Sequence, residues 1–308
     1  MKKSLKYCVC ILSIWFLGAC QDDVLIDLPE SEPKLVVEAW FKDNGEDQIV
    51  KLSRSTNYTD RTGPNKPEIG ALIIIKTAGG QEFTLSETEP GIYTAEATNF
   101  QMQIDTTYYL SILTVDGGLY ESTPQKVDQV PVIDNHLFIS QSISSTFGFG
   151  SFLPEGGYYC TITTTEKAGK GDSYAWKIYR NGEDLSIGNN LIYQNDEALT
   201  DGAIIPYQLA LFTDSLGIGD TIKVEQMKIP TVAFDYFFQL QQQFNGGGPF
   251  STPPAPVEGN LFNVNDSEEL VLGVFIVSSV DSFIDILTAD NTYDELTPEL
   301  IQELTRGL

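Results

Sequence analysis

Few side chains in this sequence could carry out acid–base or nucleophilic catalysis. His136 is the single histidine, so a Ser-His-Asp or Cys-His site would have to use it. It begins a predicted strand in the stretch DNHLFIS, while Cys160 lies within another predicted strand, and nothing in their spacing orders the two into a site. A histidine-based zinc site needs more ligands than one. We therefore predict no catalytic residue, no metal ligand and no cofactor, and expect a protein that is not an enzyme.

One catalytic alternative stays open at this point. Hydrolases that act through two carboxylates need only a pair of acidic side chains at the right separation, and that separation cannot be read from a sequence. Acidic residues are abundant here, so their number favours no particular pair.

The N-terminal segment has the pattern of a secretory leader. Lys2 and Lys3 form a positive end, and residues 7–17 are almost wholly apolar. This apolar run is too short to cross a bilayer as a helix, which takes about 20 residues. We therefore predict a signal peptide over residues 1–19.

Cys20 is the residue whose context predicts a specific modification. The sequence Leu17-Gly18-Ala19-Cys20 resembles the bacterial lipobox, in which the cysteine receives palmitate-type acyl chains and becomes the first residue of the mature protein. Two or three such chains hold a protein stably on a bilayer. The alternative is ordinary secretory cleavage that leaves Cys20 unmodified. We predict lipidation of Cys20, and hence an anchored and not a membrane-spanning protein.

The remaining cysteines predict no disulfide. Cys8 and Cys10 leave with the leader and Cys20 is used by lipid, so Cys160 stands alone. It lies in the alternating run YYCTITTT, where we expect a buried and inert thiol.

The charge balance excludes some classes of partner. The chain has 18 Lys and Arg against 43 Asp and Glu, a net charge of −25. Three lysines and no acid precede Cys20, so the mature chain carries −28. Nucleic acid is an unlikely partner because phosphate binding needs clustered basic residues, and adsorption to an anionic membrane needs a basic patch. Such a charge keeps an exported protein soluble. The acidic stretches DNGED at 43–47 and NDSEE at 265–269 fit either polar turns or calcium ligands, and whether calcium binds there stays open.

The chain predicts an all-β protein. Residues 20–33 are acidic and proline-punctuated and are interpreted as a tether. Residues 34–129 contain short strands at spacings of 8–12 residues with Gly, Asn or Pro between them, which predicts a β-sandwich of the immunoglobulin or transthyretin type. Asn44-Gly45 indicates a hairpin, and GALIIIKT at 70–77 is interpreted as a buried strand.

Residues 130–308 predict a second β-rich, sandwich-like domain. A helix is expected at 231–244, between Pro230 and a triple glycine, and its many apolar residues require it to pack on a sheet. ELVLGVFIVSSV at 269–280 predicts a long central strand. A short C-terminal helix is expected at 297–304, with Thr297 as its N-cap.

Several aromatic residues could form a binding surface. Phe147, Phe149 and Phe152 stand in a Gly/Ser-rich loop, where they either fold onto a sheet or offer an apolar contact to a partner. Aromatic residues within the sandwich pattern could hold a glycan or a peptide, although a core position is favoured for the two tryptophans. These residues are Trp40, Tyr58, Trp176 and Tyr193.

The order of these features resembles a known family. The lipobox, PKLVVEAWF followed by KLSRS, TEPGIYTA, the Phe-rich helix, GGPFSTPPAPVEGN and VLGVFIVSSV are together similar to the DUF4249 lipoproteins of Bacteroidetes. The likeness covers nearly the whole mature chain. Members of that family often end in a cysteine-containing tail, whereas this chain ends in YDELTPELIQELTRGL, so no role of such a tail transfers.

The resemblance implies a location and a role. The family has no known function, and its members resemble accessory lipoproteins of TonB-dependent outer-membrane receptors. The acidic QDD after Cys20 is similar to the signal that sends Bacteroidetes lipoproteins to the cell surface, although a merely solvated linker has the same composition. We expect a surface-exposed outer-membrane lipoprotein that is a non-catalytic accessory or substrate-capture subunit of a TonB-dependent transporter. The alternative is a stand-alone glycan- or peptide-binding module or adhesin.

Overall fold

The structure is a computed structural model that describes residues 32–56, 66–146, 156–186, 190–196, 202, 204–209, 216–245 and 256–304. The chain divides into two compact units. Apart from Glu32, the described residues belong to the larger unit, Pro33–Thr56 with Pro64–Leu308, and the following paragraphs concern that unit. Cys20, the tether up to residue 31, Tyr58 and the loop phenylalanines Phe147, Phe149 and Phe152 lie outside the described residues.

Strands dominate the described chain, and three helices accompany them. The strands are β1 Leu35–Lys42, β2 Gln48–Arg54, β3 Lys66–Pro67, β4 Leu72–Thr77, β5 Glu82–Thr84, β6 Ser86–Glu89, β7 Ile92–Ala95, β8 Thr107–Leu113, β9 Leu119–Ser122, β10 Gln125–Lys126, β11 Ile133–Ser140, β12 Tyr158–Thr165, β13 Ser173–Arg180, β14 Glu183–Asp184, β15 Ile192–Asn195, β16 Ile204–Leu209, β17 Thr221–Ile229, β18 Leu261–Asn263, β19 Leu272–Ile286 and β20 Thr292–Tyr293. The helices are α1 Gln141–Thr146, α2 Thr231–Asn245 and α3 Pro298–Leu304. The prediction of an all-β protein is confirmed.

The strands form three sheets. A ten-stranded sheet has the order β14-β13-β17-β19-β1-β2-β7-β6, with β15 and β3 paired beside β13 and β2. A six-stranded sheet has the order β18-β9-β8-β4-β5, with β10 paired to β8. A four-stranded sheet has the order β16-β12-β11-β20. Most neighbouring strands are antiparallel, but β1 runs parallel to β19 and β11 runs parallel to β20.

The first hairpin forms where the sequence predicts it. Val37 and Ala39 of β1 and Val50 and Leu52 of β2 point to the core, so both strands alternate between buried and exposed positions. Gly45 in the connecting turn has a φ of +73°, a conformation that residues with a Cβ rarely adopt.

Two large hydrophobic cores lie on this framework. The first fills the space between the six-stranded sheet and the β1-β2-β7 part of the ten-stranded sheet, and it includes Phe41, Ile73, Leu110 and Tyr120. Residues from far along the chain also enter it, among them Leu261 and Phe275. The second core joins the four-stranded sheet to the β13-β17-β19 part of the ten-stranded sheet and includes Phe138, Cys160, Trp176 and Val224.

A single strand belongs to both regions. β19 pairs in parallel with β1 through residues 272–278 and in antiparallel with β17 through residues 279–286. The ten-stranded sheet is therefore continuous, and it contains strands from both sides of the predicted domain boundary between residues 129 and 130. The division of the chain into domains at 34–129 and 130–308 stays a prediction. The first core also contains residues from 261–277.

One strand differs from its predicted burial. β4 contains the apolar run Leu-Ile-Ile-Ile, and the sequence predicts that it is buried. Ile73 and Ile75 are fully buried, but Leu72 is 45% exposed and Ile74 is half-buried. The reason is that β4 lies in the six-stranded sheet, of which, within the described part of the chain, only the inner face packs on a core.

Both predicted helices are present. α2 lies on the outer face of the ten-stranded sheet, where its fully buried Ala233 contacts the cluster formed by Ala175, Met227 and Ile276. α3 begins after Thr297, whose hydroxyl accepts a hydrogen bond from the Leu300 N–H at 3.2 Å, as expected of an N-cap. Helix α1 was not predicted from the sequence. Its Ile143 packs with Leu300 and Leu304 of α3.

Candidate functional site

The aromatic cleft, as we call it here, lies beside helix α2 on the outer face of the ten-stranded sheet. The alternation of β1 and β2 sends Glu38, Trp40 and Lys51 to this outer face, because their neighbours Val37, Ala39 and Val50 point to the core. The helix crosses the same face but leaves part of it open.

Two adjoining recesses form the cleft, with volumes of about 620 and 450 Å³. Strand residues form the floor of both recesses and α2 supplies one wall through Phe237 and Leu240. The larger recess continues towards Tyr193 of β15 and Phe244 near the end of α2. The floor residues common to both are Glu38, Trp40, Lys51 and Lys177.

Trp40 is held in a fixed orientation at the centre of the floor. Its indole N–H donates a hydrogen bond to the Ser278 Oγ at 2.8 Å, and its ring centroid lies 5.6 Å from that of Phe237. The Lys177 Nζ lies 5.5 Å from the Trp40 ring centroid and also donates to the Asp184 carboxylate at 2.9 Å. A half-buried indole fixed in this way presents apolar ring surface to a ligand at little cost in side-chain entropy.

Tyr193 joins β15 to the helix at the other side of the cleft. Its hydroxyl donates to the Gln241 Oε1 at 2.7 Å, and its ring lies 5.5 Å from Phe234 and 5.7 Å from Phe237 between centroids. Burial raises the pKa of Tyr193, so the phenol stays neutral at physiological pH. The hydrogen bond and the ring contacts fix the separation of helix and sheet at this point.

A buried charge cluster occupies the same sheet face. The Glu225 side chain is 1% exposed and accepts hydrogen bonds from the Lys42 Nζ at 2.7 Å and from the Tyr179 hydroxyl at 3.2 Å. Lys223 Nζ lies 2.6 Å from its other oxygen. Burial alone would raise the pKa of Glu225, but the hydrogen bonds from Lys223 and Lys42 outweigh it and lower the pKa. Glu225 is therefore an ionised carboxylate neutralised by lysines, an arrangement that stabilises the sheet and does not supply a proton.

The cleft combines apolar and charged side chains. Its side chains offer aromatic faces, aliphatic surface, two ammonium groups and carboxylates, which together suit a ligand with both apolar and polar faces, as glycans and peptides have. Among the described lining residues, no Ser or Thr hydroxyl and no Cys thiol donates a hydrogen bond to a base; the Ser186 hydroxyl accepts one from the Ile178 N–H. The lining residues therefore give no support to nucleophilic catalysis at this place.

Comparison with protein families identifies the chain. A family model described as a domain of unknown function (DUF4249) matches residues 21–284, which is well over half of the chain. The chain belongs to the DUF4249 family. The matched region contains the aromatic cleft and the ten-stranded sheet except for the last two residues of β19.

Other comparisons add little for this DUF4249 protein. The curated proteins contain no match. A segment of two fibronectin type III domains from chicken tenascin is 15% identical, with 64% of this chain and 91% of that chain covered and a TM-score of 0.18. A tetra-tandem repeat from the extending region of a large adhesion protein is 10% identical, with 84% of this chain and 50% of that chain covered and a TM-score of 0.20. Neither bears on fold or function at such TM-scores.

The aromatic residues named from the sequence lie in different environments in the DUF4249 structure. Trp176 is completely buried in the second core, and its N–H donates to the Gln226 Oε1 at 2.9 Å, so the predicted core position is confirmed. Trp40 is only half-buried and forms the floor of the cleft, which differs from the favoured core position. Tyr193 lies in the same cleft. The structure thus brings together Trp40 and Tyr193 and separates them from Trp176.

His136 and Cys160 lie in the second core region. His136 Nε2 lies 3.1 Å from the Asp285 carboxylate, and the imidazole stacks on Phe283 with centroids 3.9 Å apart. Cys160 is a free thiol with no exposed surface, and burial raises its pKa strongly. A thiol held neutral and away from solvent is a poor nucleophile, and its buried position is confirmed.

The two acidic stretches are turns. In 43–47, the Asp43 carboxylate accepts a hydrogen bond from the Val280 N–H, and the Asn44 side-chain oxygen accepts one from the Glu46 N–H. In 265–269, the Asp266 carboxylate accepts one from the Glu268 N–H. Within the described part of the chain, no group of three or more His, Cys, Asp or Glu side chains is placed to hold a metal ion.

Among the described residues, no helix is long and apolar enough to span a bilayer. Cys20, the predicted lipidation site, lies outside the described residues, and its lipidation stays a prediction.

Sequence reasoning missed several cleft residues. Lys177 lies between the buried Trp176 and Ile178 in β13, and this alternation already places it on the opposite face of the strand. Which element would lie above that face could not be read from the strand alone. Gln241, which fixes Tyr193, carries no signal in the sequence because it is one of several glutamines on α2.

Proposed function

We propose that this DUF4249 protein is a surface-exposed outer-membrane lipoprotein that captures a ligand in the aromatic cleft as a non-catalytic accessory subunit of a TonB-dependent transporter. The observation that carries the binding role is the cleft itself, with the fixed Trp40 indole on its floor and α2 as its wall. The lipobox-like sequence ending at Cys20 and the acidic QDD after it support anchoring and display at the cell surface.

The family match fits this proposal. It begins at residue 21, directly after Cys20, so the predicted leader and anchor precede the region that the family model matches. The partner assignment rests on the resemblance to Bacteroidetes lipoproteins that accompany TonB-dependent receptors. The negative net charge of the mature chain supports a protein partner over nucleic acid.

Ligand capture can be tested by the fluorescence of Trp40. After cleavage before Cys20 the chain has two tryptophans, so the Trp176→Phe variant reports on Trp40 alone. We expect oligosaccharides or short peptides that bind the cleft to shift its emission with saturation. The matched control is Trp40→Phe, which leaves only the buried Trp176 and should show no shift. Equal responses from both variants, or no response from either across a panel of both ligand classes, would contradict capture at the cleft.

The transporter partnership needs a separate experiment. Tagged full-length protein is purified from its own membranes in mild detergent, and the proteins that accompany it are identified by mass spectrometry. We expect a TonB-dependent receptor with the wild type and its depletion with Cys20→Ala, which cannot be acylated on sulfur. If both proteins fractionate as soluble, the lipoprotein assignment is wrong. If the wild type is membrane-bound but alone, the accessory role is wrong.

The second candidate function is a stand-alone glycan- or peptide-binding module. The observation in its favour is that one chain supplies the whole described lining of the cleft, so binding there requires no partner. Ligand binding by the purified Cys20→Ala protein, together with a membrane-bound wild type that carries no receptor, would select this function over the accessory role.

A further inference from the structure

The outer face of the six-stranded sheet is a second surface, separate from the aromatic cleft. Four apolar side chains occupy one row across three neighbouring strands and the residue that follows β18. Leu72 pairs with Leu113, Leu113 pairs with Leu119, and the Val264 N–H donates to the Leu119 carbonyl at 2.8 Å. Leu72, Leu113 and Val264 are 45%, 42% and 45% exposed. With neighbouring strands about 4.8 Å apart, the row is about 14 Å long.

Further apolar residues extend this row. In the next row of the same face, Ile74 is half-buried and Phe262 is 44% exposed, and Ser111 and Glu121 lie between them. At the end of the sheet, Ile69 and Val115 are 57% and 75% exposed. Singly exposed apolar residues are common on proteins, but a contiguous group of this kind marks an interaction surface. We call this group the bare face.

Acidic groups border the bare face. Asp266 and Glu268 are exposed in the turn that follows Val264. Asp116, in the turn between β8 and β9, has a side chain that is 67% exposed, and its partner Arg54 is shared with Glu68, so this group keeps a net negative charge. In the second row, Glu121 lies between Ser111 and Phe262 and pairs with Lys76 at 3.3 Å, which makes this part of the face neutral.

The border charges select the kind of occupant. A second copy of this chain would bring the same carboxylates against these carboxylates, and an anionic membrane surface would be repelled as well. A protein surface with an apolar centre and Lys or Arg at its border complements both features. Such a pattern, apolar in the centre and charged at the rim, is the usual anatomy of a protein–protein interface.

We infer that the bare face is a docking site for a protein partner with an apolar centre and a basic border. The identification of that partner with the transporter rests on the proposed function, whereas the docking site itself does not. The aromatic cleft lies on the other sheet and involves none of these residues, so ligand capture and docking use different surfaces.

Site-specific photo-crosslinking in the full-length protein tests this inference. The photoreactive residue p-benzoylphenylalanine replaces Leu113 on the bare face or, as a control, Ile284, which is 67% exposed on β19. Intact cells are irradiated, and the crosslinked species are identified by mass spectrometry. We expect one protein to crosslink from position 113 and not from position 284.

Two further conditions decide whether that protein is bound by the bare face. Adding Leu72→Glu should lower the crosslinked yield at least about tenfold, whereas Ile286→Glu, the same change at a 52% exposed isoleucine elsewhere, should leave it unchanged. In isolated membranes, about 0.5 M salt should also lower the yield, because it screens the border charges. Thermal unfolding confirms that each variant folds, and the milder Leu72→Ser replaces Leu72→Glu if the latter does not.

The outcomes separate this inference from the proposed function. Crosslinks from position 113 to a second copy, to lipid or to the chain's own residues would overturn the docking site, as would a yield that Leu72→Glu does not change. A receptor that co-purifies equally with wild type and Leu72→Glu would overturn the identification of the docked partner with the transporter but leave the accessory role intact. A crosslinked partner that meets both conditions but is not a transporter would support the docking site and contradict its identification with the transporter.

Discussion

β19 and β4 have similar apolar sequences, LGVFIV and LIII, but the fold buries them differently. Residues 273–279 of β19 are buried one after another, on both faces of the ten-stranded sheet. In β4 only Ile73 and Ile75 are buried, and Leu72 is 45% exposed. Neither strand is at the edge of its sheet, since β19 lies between β17 and β1 and β4 lies between β8 and β5.

The difference lies in what covers the outer face. Above β19 lies α2, and the cluster of Ala233, Phe237 and Ile276 buries the outer side chains of the strand. Among the described residues, no element packs on the outer face of the six-stranded sheet. The same apolar sequence thus gives a core strand with a cleft beside it in one sheet and a bare face in the other.

The largest effect is expected where β19 meets β1. Gly273 has a φ of +93°, and a Cβ there would lie 1.9 Å from the Val37 carbonyl oxygen. Gly273→Ala should therefore separate the parallel pair and lower the free energy of unfolding by about 5 kcal/mol, measured by urea denaturation. The control is Gly80→Ala, with a φ of +83° and no atom within 4 Å, which should cost about 1 kcal/mol. Equal losses would mean that backbone strain and not the close contact matters.

A second prediction tests the cover that α2 provides. Ile276 lies on the outer face of β19 and is 2% exposed. Ile276→Ala should lower the free energy of unfolding by about 3 kcal/mol, because it leaves a cavity between sheet and helix. Chemical denaturation measures this loss. A loss below about 1 kcal/mol would show that the helix lies loosely on the sheet.

The charge cluster on the same face predicts a dependence on pH. Because the pKa of Glu225 is lowered in the folded protein, its contribution is present above its ordinary value of 4.5 and is lost as the pH falls through the folded value. Glu225→Gln should cost about 2 kcal/mol at about pH 7, since it removes the charge that Lys42 and Lys223 neutralise. Urea midpoints of wild type and variant should begin to converge as the pH falls below 4.5. A difference that stays constant with pH would contradict an ionised Glu225.

The smallest effect is expected on the bare face. Leu72→Ser changes an outer-face residue, as Ile276→Ala does, but at a position without cover. The free energy of unfolding should change by no more than about 0.5 kcal/mol. A larger loss in the same denaturation assay would mean that another part of the chain covers this face in solution.

Much of the fold could be predicted because it depends on local sequence. Asn44-Gly45 fixes the first hairpin, Pro230 fixes the start of α2, and Thr297 caps α3. The parallel pairing of β1 with β19 could not be predicted in the same way. It joins residues more than 230 positions apart, and no local pattern specifies which strand meets which. The site was predicted only in part, since Trp40 and Tyr193 were named but their shared cleft was not.

The sequence by itself determined the leader-like N-terminus with Cys20, the charge of the mature chain, the all-β class and the alternation that sends each side chain to one face of its strand. These follow from composition and from the two-residue period of a strand. Only the tertiary structure decided which faces are covered. It placed α2 over Trp40 and left Leu72 exposed. Whether a strand face is covered depends on where distant elements pack, and the two-residue period of a strand is the same whether its face is covered or exposed.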